Sequence, residues 1–163
     1  MGLIIIFSLT LAQSTLGPFL AVGGARPDLV LVFVVAWTLL NGFSEGLPWA
    51  FVGGLALDLL SGAPFGVFTV SLLLTSFVAS LTYGRTFGHL MNLPLLLILP
   101  LSFLFNAASL LWLDLLGRPI AWGMAYRAVL FPAALYDLGA MLLLFPAIYG
   151  LFRLTRRNEI DIA

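Results

Sequence analysis

Six apolar runs, separated by short stretches rich in glycine, proline and arginine, dominate the pattern of hydrophobic and polar positions along the chain. Most of these runs approach the roughly 20 residues that a helix needs to cross the hydrocarbon core of a bilayer. The pattern therefore predicts an all-α integral membrane protein with a single domain of six transmembrane helices. The predicted spans are about 2–21, 28–43, 47–60, 66–83, 91–114 and 124–152, and residues 153–163 form a short tail.

The lengths of the runs differ, and the differences carry structural predictions. Spans two and three are short, so we expect either that they are tilted little or that part of each lies against protein rather than lipid. Span six is too long for one straight crossing and contains Pro132 and Pro146. We expect its first turns to lie at the membrane interface and the helix to bend near Pro132.

Composition supports the membrane interpretation. Hydrophobic residues make up 62% of the chain and charged residues 9%, whereas soluble domains carry about 25% charged residues. The net charge of zero argues against a nucleic-acid partner. The chain has no cysteine, which excludes disulfides, thiolate metal sites and cysteine nucleophiles. We expect no cofactor. We also expect membrane lipid to surround the protein.

Three cations, Arg153, Arg156 and Arg157, directly follow the last apolar run. Arginine and lysine accumulate at the cytoplasmic ends of membrane helices, so the C-terminus is predicted to be cytoplasmic. Six spans then place the N-terminus in the cytoplasm as well.

This topology sorts the charged residues by depth. It places three acids and three arginines near the outer face: Asp28, Asp58, Asp114, Arg26, Arg118 and Arg127. The match predicts ion pairs between helices, with Asp58 and Asp114 facing Arg118 and Arg127 as candidates. Asp137 lies ten residues after Arg127, about 15 Å along a helix, and so near mid-membrane, where the sequence offers no evident partner.

Asp58 interrupts an apolar run and is followed by a turn that contains Gly62, Pro64 and Gly66. A carboxylate within a transmembrane helix costs roughly 2.5–3.5 kcal/mol on insertion scales, so it needs a partner or a function. The favoured interpretation is an ion pair that fixes helix packing. The alternative is a proton or cation pathway through Asp58 and Asp137.

Catalytic chemistry is not indicated. The only histidine, His89, is predicted in the loop between spans four and five, on the opposite side of the membrane from Ser61. A lone histidine without cysteine or carboxylate neighbours makes no metal site and cannot activate a distant serine. The sequence therefore predicts no enzyme, no catalytic residues and no metal ligands.

Two segments carry a resemblance to a known family: RPDL at residues 26–29 and GLALDLLSGAPFG at residues 54–66. In both segments, and in its length and six apolar runs, the chain resembles the MreD family of bacterial rod shape-determining membrane proteins. The matching positions are Arg26, Pro27, Asp28, Asp58, Gly62, Pro64 and Gly66. One departure is that no basic residue precedes the first apolar run, although many relatives have one.

The resemblance implies a non-enzymatic subunit of the cell-elongation machinery in the bacterial inner membrane. It implies an MreC-like single-span partner, and neighbours that include the glycosyltransferase RodA, a penicillin-binding transpeptidase and MreB filaments. It also implies a fold similar to the six-helix substrate-binding components of energy-coupling-factor transporters. The motif residues would form outer-side structural or partner-binding elements.

Two functions follow as hypotheses. The first is a membrane scaffold that binds an MreC-like protein and helps to position the enzymes of peptidoglycan synthesis. The alternative is a substrate-binding subunit of a vitamin transporter, which requires a sizeable cavity with convergent polar groups at the outer side.

Overall fold

The computed structural model describes residues 2–20, 26–82 and 93–160. In these ranges the chain forms seven α-helices and one short π-helical segment, and no strand. The helices are α1 (Gly2–Leu20), α2 (Leu29–Asn41), α3 (Phe43–Ser61), α4 (Val67–Ser80), α5 (Leu93–Leu115), α6 (Trp122–Ala125) and α7 (Phe131–Ile160). The π-helical segment, Tyr126–Leu130, joins α6 to α7.

Helix α2 lies at the centre of the bundle. Every side chain from Val30 to Leu40 is buried, and the helix packs against α1, α3, α4, α5 and α7. A helix that is apolar on all sides is stable only where protein or lipid surrounds it completely. Its 13 residues extend about 20 Å, which is less than the hydrocarbon core of about 30 Å. The expectation that this short segment lies against protein is confirmed.

Glycines bring α3 close to two neighbours. A Cβ atom on Gly54 would lie 2.4 Å from Cα of Thr69 in α4, and one on Gly53 would lie 2.8 Å from a methyl group of Val30 in α2. Small residues allow such close approach of helix backbones in membrane proteins. Adjacent glycines therefore serve two different interfaces of one helix.

A second close contact joins α2, α3 and α4. The Thr38 hydroxyl of α2 lies 3.0 Å from the Ser76 hydroxyl of α4. A Cβ atom on Gly46 in α3 would lie 2.1 Å from the same Thr38 oxygen. The three residues thus pack at one point, where the Thr38 hydroxyl donates to the Val34 carbonyl and can accept from the Ser76 hydroxyl.

The second half of the chain forms an antiparallel pair. Helix α5 packs along α7, and two helices, Pro94–Leu115 and Trp122–Arg153, are long and apolar enough to cross a membrane. The π-helical segment comes directly before Pro132, close to the predicted bend. Proline has no N–H to donate to the preceding turn, and a local change of hydrogen-bond register accommodates this loss.

The six predicted apolar segments coincide with α1, α2, α3, α4, α5 and the α6–α7 helix. The largest shift is in α3, which begins at Phe43 and so places Pro48 inside the helix. Helix α7 continues to Ile160, into the predicted tail. That all six segments cross the bilayer, with both termini in the cytoplasm, remains a prediction.

Candidate functional site

The junction between α3 and α4 is organised by Asp58. Its carboxylate accepts hydrogen bonds from the backbone N–H groups of Gly66 at 3.0 Å, Phe68 at 2.8 Å and Thr69 at 3.1 Å, and from the Thr69 hydroxyl. The first N–H groups of a helix have no partner within the helix, and they favour negative charge. Asp58, only 4% exposed, therefore caps the N-terminus of α4 from the end of α3.

This arrangement replaces the predicted ion pair of Asp58. The contacts of its carboxylate are amides and one hydroxyl, and neither Arg118 nor Arg127 is among them. Backbone N–H groups of α4 are close in sequence and already need acceptors, so they meet the carboxylate before any distant side chain does.

Asp114 likewise binds backbone. Its Oδ1 accepts a hydrogen bond from Ile120 N–H at 3.1 Å, which closes the turn between α5 and α6. Arg118 and Arg127 have exposed side chains. Among the residues that the structure describes, the candidate pairs of Asp114 with these arginines are therefore not formed.

Asp137, for which the sequence offered no partner, is fully buried and hydrogen-bonded. Its Oδ1 accepts a bond from the backbone N–H of Asp28 at 2.7 Å, and its Oδ2 accepts one from the hydroxyl of Ser102 in α5. Asp28 precedes α2, so the Asp137 carboxylate links the start of α2 to α5 and α7.

Gln13 of α1 completes this arrangement. Its Nε2 donates to Oδ1 of Asp28 at 2.9 Å, while its Oε1 accepts from Val30 N–H at 3.1 Å. Asn106, one turn after Ser102 in α5, bonds to the Ser102 carbonyl at 3.0 Å. We call this set, Gln13, Asp28, Ser102, Asn106 and Asp137, the polar network; it joins α1, α2, α5 and α7.

The polar network changes the predicted layering of the acids. The hydrogen bond between Asp28 and Asp137 joins an acid predicted at the outer face to one predicted near mid-membrane, so these two predicted depths do not both hold. Sequence reasoning also missed Gln13, Ser102 and Asn106. Their signal was a polar side chain within an apolar run, with the i, i+4 spacing of Ser102 and Asn106 marking one helix face.

The two motif segments meet around one cavity of about 300 Å³. Its polar lining comprises Thr10, Gln13, Ser14, Arg26, Asp28 and Ser61. Its apolar wall comprises Leu57, Leu60 and Phe68. The cavity therefore lies between α1, the segment before α2, the end of α3 and the start of α4.

The glycines of the second motif shape the α3–α4 turn. Gly62 ends α3 with φ +67°, and Gly66 precedes α4 with φ +99°, a region that residues with a Cβ rarely adopt. Pro64 lies between them, and its carbonyl accepts a hydrogen bond from Val67 N–H at 3.4 Å. The turn thereby presents the Gly66 N–H to Asp58.

Catalytic and metal sites were not predicted. Within 2–20, 26–82 and 93–160, no group of three histidine, cysteine, aspartate or glutamate residues could hold a metal ion. His89 lies outside the described residues.

Two described helices long and apolar enough to cross a membrane, in a chain with 62% hydrophobic residues, fit the class of helical membrane proteins. The family model for rod shape-determining protein MreD matches residues 1–155. The chain belongs to the MreD family, which confirms the resemblance of its two motif segments and implies a role in rod shape determination. No curated protein and no solved structure matches the chain.

Proposed function

We propose that this protein is a non-enzymatic scaffold of the cell-elongation machinery in the bacterial inner membrane. It binds an MreC-like single-span protein and helps to position RodA, a penicillin-binding transpeptidase and MreB for peptidoglycan synthesis. Membership of the MreD family, over residues 1–155, is the observation that carries this proposal.

The hydrogen bonding of the buried acids supports a structural role. Asp58 accepts from three backbone N–H groups and one hydroxyl, and Asp137 from one backbone N–H and one hydroxyl. Carboxylates committed in this way hold helix ends in place. A scaffold uses such groups for rigidity, because a fixed set of helix faces is what a partner recognises.

Exposed apolar faces supply surfaces for a partner's helix. On α4, Val70, Leu74 and Phe77 are 41%, 43% and 50% exposed and follow one another at i, i+4 and i+7, which places them on one face. On α7, Leu135 and Leu142 are 51% and 62% exposed. Helices associate in membranes by close van der Waals packing, so shape at such a face decides binding.

Co-purification tests the proposal. The protein is co-expressed with MreC, extracted in detergent and purified by a tag on MreC. Leu74→Trp/Phe77→Trp alters the α4 face, and Leu135→Trp/Leu142→Trp is the matched variant on α7. We expect one pair to lose MreC and the other to retain it, because a single span covers one face. A wild-type protein that never accompanies MreC would contradict the proposal.

The proposal includes six spans with both termini in the cytoplasm. The chain has no cysteine, so single cysteines introduced at Ala163 and Arg118 can be labelled without background. A membrane-impermeant maleimide applied to spheroplasts should label the cysteine at 118 and leave that at 163 unlabelled. Labelling of 163 from outside would contradict this topology.

A second candidate function, the substrate-binding subunit of a vitamin transporter, is favoured by the cavity of about 300 Å³. Ligand cavities in proteins start at about this size and combine apolar walls with a few polar groups. The test is mass spectrometry of small molecules released from the purified protein. A stoichiometric soluble compound would favour the transporter function.

A further inference from the structure

The cavity combines one cation with an apolar wall, and this combination defines a class of ligand. We propose that it binds the monoanionic phosphodiester headgroup of a membrane phospholipid, with the phosphate at Arg26 and the start of an acyl chain against Leu60 and Phe68. This site is independent of the MreC-binding role proposed above.

Arg26 provides the anion-binding group. Its side chain is exposed and lines the cavity, and it forms no hydrogen bond or ion pair with any described residue. A guanidinium group presents five N–H donors and binds phosphate or carboxylate oxygens in pairs. The donors of Arg26 are thus available to a ligand.

Asp28 limits the charge of the ligand. Its carboxylate lies near enough to act electrostatically with Arg26, and its Oδ1 is bound by Gln13. Arg26 and Asp28 are the two residues of the cavity lining with ionisable side chains of opposite sign. Repulsion from an ionised Asp28 carboxylate grows with the charge of the ligand, so a monoanion is favoured over a doubly charged free phosphate.

The hydroxyl groups of the cavity differ in whether they can donate a hydrogen bond to a ligand. Thr10 and Ser14 donate to backbone carbonyls of their own helix. Ser61 accepts a bond from Ala63 N–H, while its own O–H donates to no residue in the part of the chain that the structure describes. Ser61 is therefore the hydroxyl that can donate to a phosphate oxygen beside Arg26.

The apolar wall extends from the interior to the surface of the bundle. Leu57 is 8% exposed and Leu60 is 44% exposed, and Phe68 is partly buried. A chain that begins against Phe68 can continue over Leu60 into surrounding lipid. Pockets with basic residues between membrane helices bind lipid headgroups.

Native mass spectrometry of the detergent-solubilised protein with added phosphatidylglycerol tests the site. Arg26→Gln removes the cation, and Arg118→Gln removes an equally exposed arginine that does not line the cavity. We expect wild type and Arg118→Gln to retain one phosphatidylglycerol and Arg26→Gln to bind it about ten- to hundredfold more weakly, since hydrogen bonds to charged groups contribute about 1.5–3 kcal/mol and about 1.4 kcal/mol is tenfold in affinity. Equal binding by all three proteins overturns the proposal.

Two further arms separate folding from binding and lipid from soluble ligand. Arg26→Lys keeps the charge but loses the paired donors, so its affinity should fall between those of wild type and Arg26→Gln while its melting temperature stays unchanged. Leu60→Trp narrows the apolar wall and should also weaken the lipid. Glycerophosphoglycerol, the same monoanionic phosphodiester without acyl chains, should not displace phosphatidylglycerol at equal concentration; displacement would overturn the lipid assignment, because the headgroup alone would then suffice.

Discussion

The backbone N–H of Asp28 donates a hydrogen bond of 2.7 Å to Oδ1 of Asp137, a residue 109 positions later in the chain. This bond attaches the start of the central helix α2 to the last long helix, α7. Asp137 also accepts a bond from Ser102 in α5. One carboxylate thereby holds together three helices from both halves of the protein.

Asp137→Asn should be tolerated, whereas Asp137→Leu should destabilise the protein. The amide of asparagine keeps one oxygen for the Asp28 N–H and can donate to the Ser102 oxygen. Leucine leaves the Asp28 N–H without an acceptor, which costs about 1–3 kcal/mol for a buried donor. Thermal unfolding in detergent measures both effects.

The Asp137→Asn variant also tests the proton-pathway hypothesis. If Asp137 only holds helices, cells that carry Asp137→Asn in place of the wild-type protein remain rod-shaped. Round cells with normal levels of a folded Asp137→Asn protein would indicate that a carboxylate able to exchange a proton is needed, and would contradict the structural role.

Asp58→Ala should lower stability more than any change of Arg118 or Arg127. Alanine removes the acceptor for three N–H groups and one hydroxyl at the start of α4, so we expect a loss of at least about 2 kcal/mol. Asp58→Asn keeps one oxygen and should cost less. Unfolding of Arg118→Gln and Arg127→Gln is the control, and a loss as large as that of Asp58→Ala would restore the ion-pair hypothesis.

Gly54→Ala should destabilise the α3–α4 interface. The added Cβ would lie 2.4 Å from a backbone carbon of Thr69, so the helices must separate, at a cost of about 1–3 kcal/mol. Gly139→Ala in α7 is the matched control, because a Cβ there meets nothing within 4 Å. That change should be neutral or stabilise by up to about 1 kcal/mol through helix propensity. Equal melting temperatures for the two variants would contradict close packing at Gly54.

Gly62→Ala tests the left-handed backbone at the end of α3. The residue has φ +67° and open space around it, so the expected loss of about 1–2 kcal/mol comes from backbone conformation alone. Gly62→Asn should lose less, since asparagine adopts this conformation more readily. A difference between the two variants in melting temperature checks this, and an Ala variant as stable as wild type would argue against the conformation.

The sequence predicts the helices more completely than it predicts their contacts. The apolar runs locate α1 to α5 and the α6–α7 helix, because hydrophobic length and breakers are local properties. The partners of Asp58 and Asp137 are tertiary. Pairing by charge and depth favours arginines. The structure instead pairs both carboxylates with backbone N–H groups at the starts of α2 and α4, which have no partner within their own helix.

Some of these contacts had signals in the sequence. Asp58 stands a few residues before a turn and a new helix that begins at Val67, a pattern compatible with capping across the turn. Gln13 and Asn106 are isolated amides in apolar runs, and such residues seek partners within a bundle. Which amide meets which acid depends on helix arrangement, which periodicity alone does not determine.

Enclosure of α2 has a consequence for genetics. Because every side chain from Val30 to Leu40 is buried, no protein partner can touch these residues in the folded molecule. A screen for lost partner binding that returns substitutions in α2 therefore reports misfolded protein, and only alleles that change exposed positions on the outer helices can map a contact. Suppressors selected in a partner should accordingly be specific to alleles of the outer helices and rescue none of those in α2.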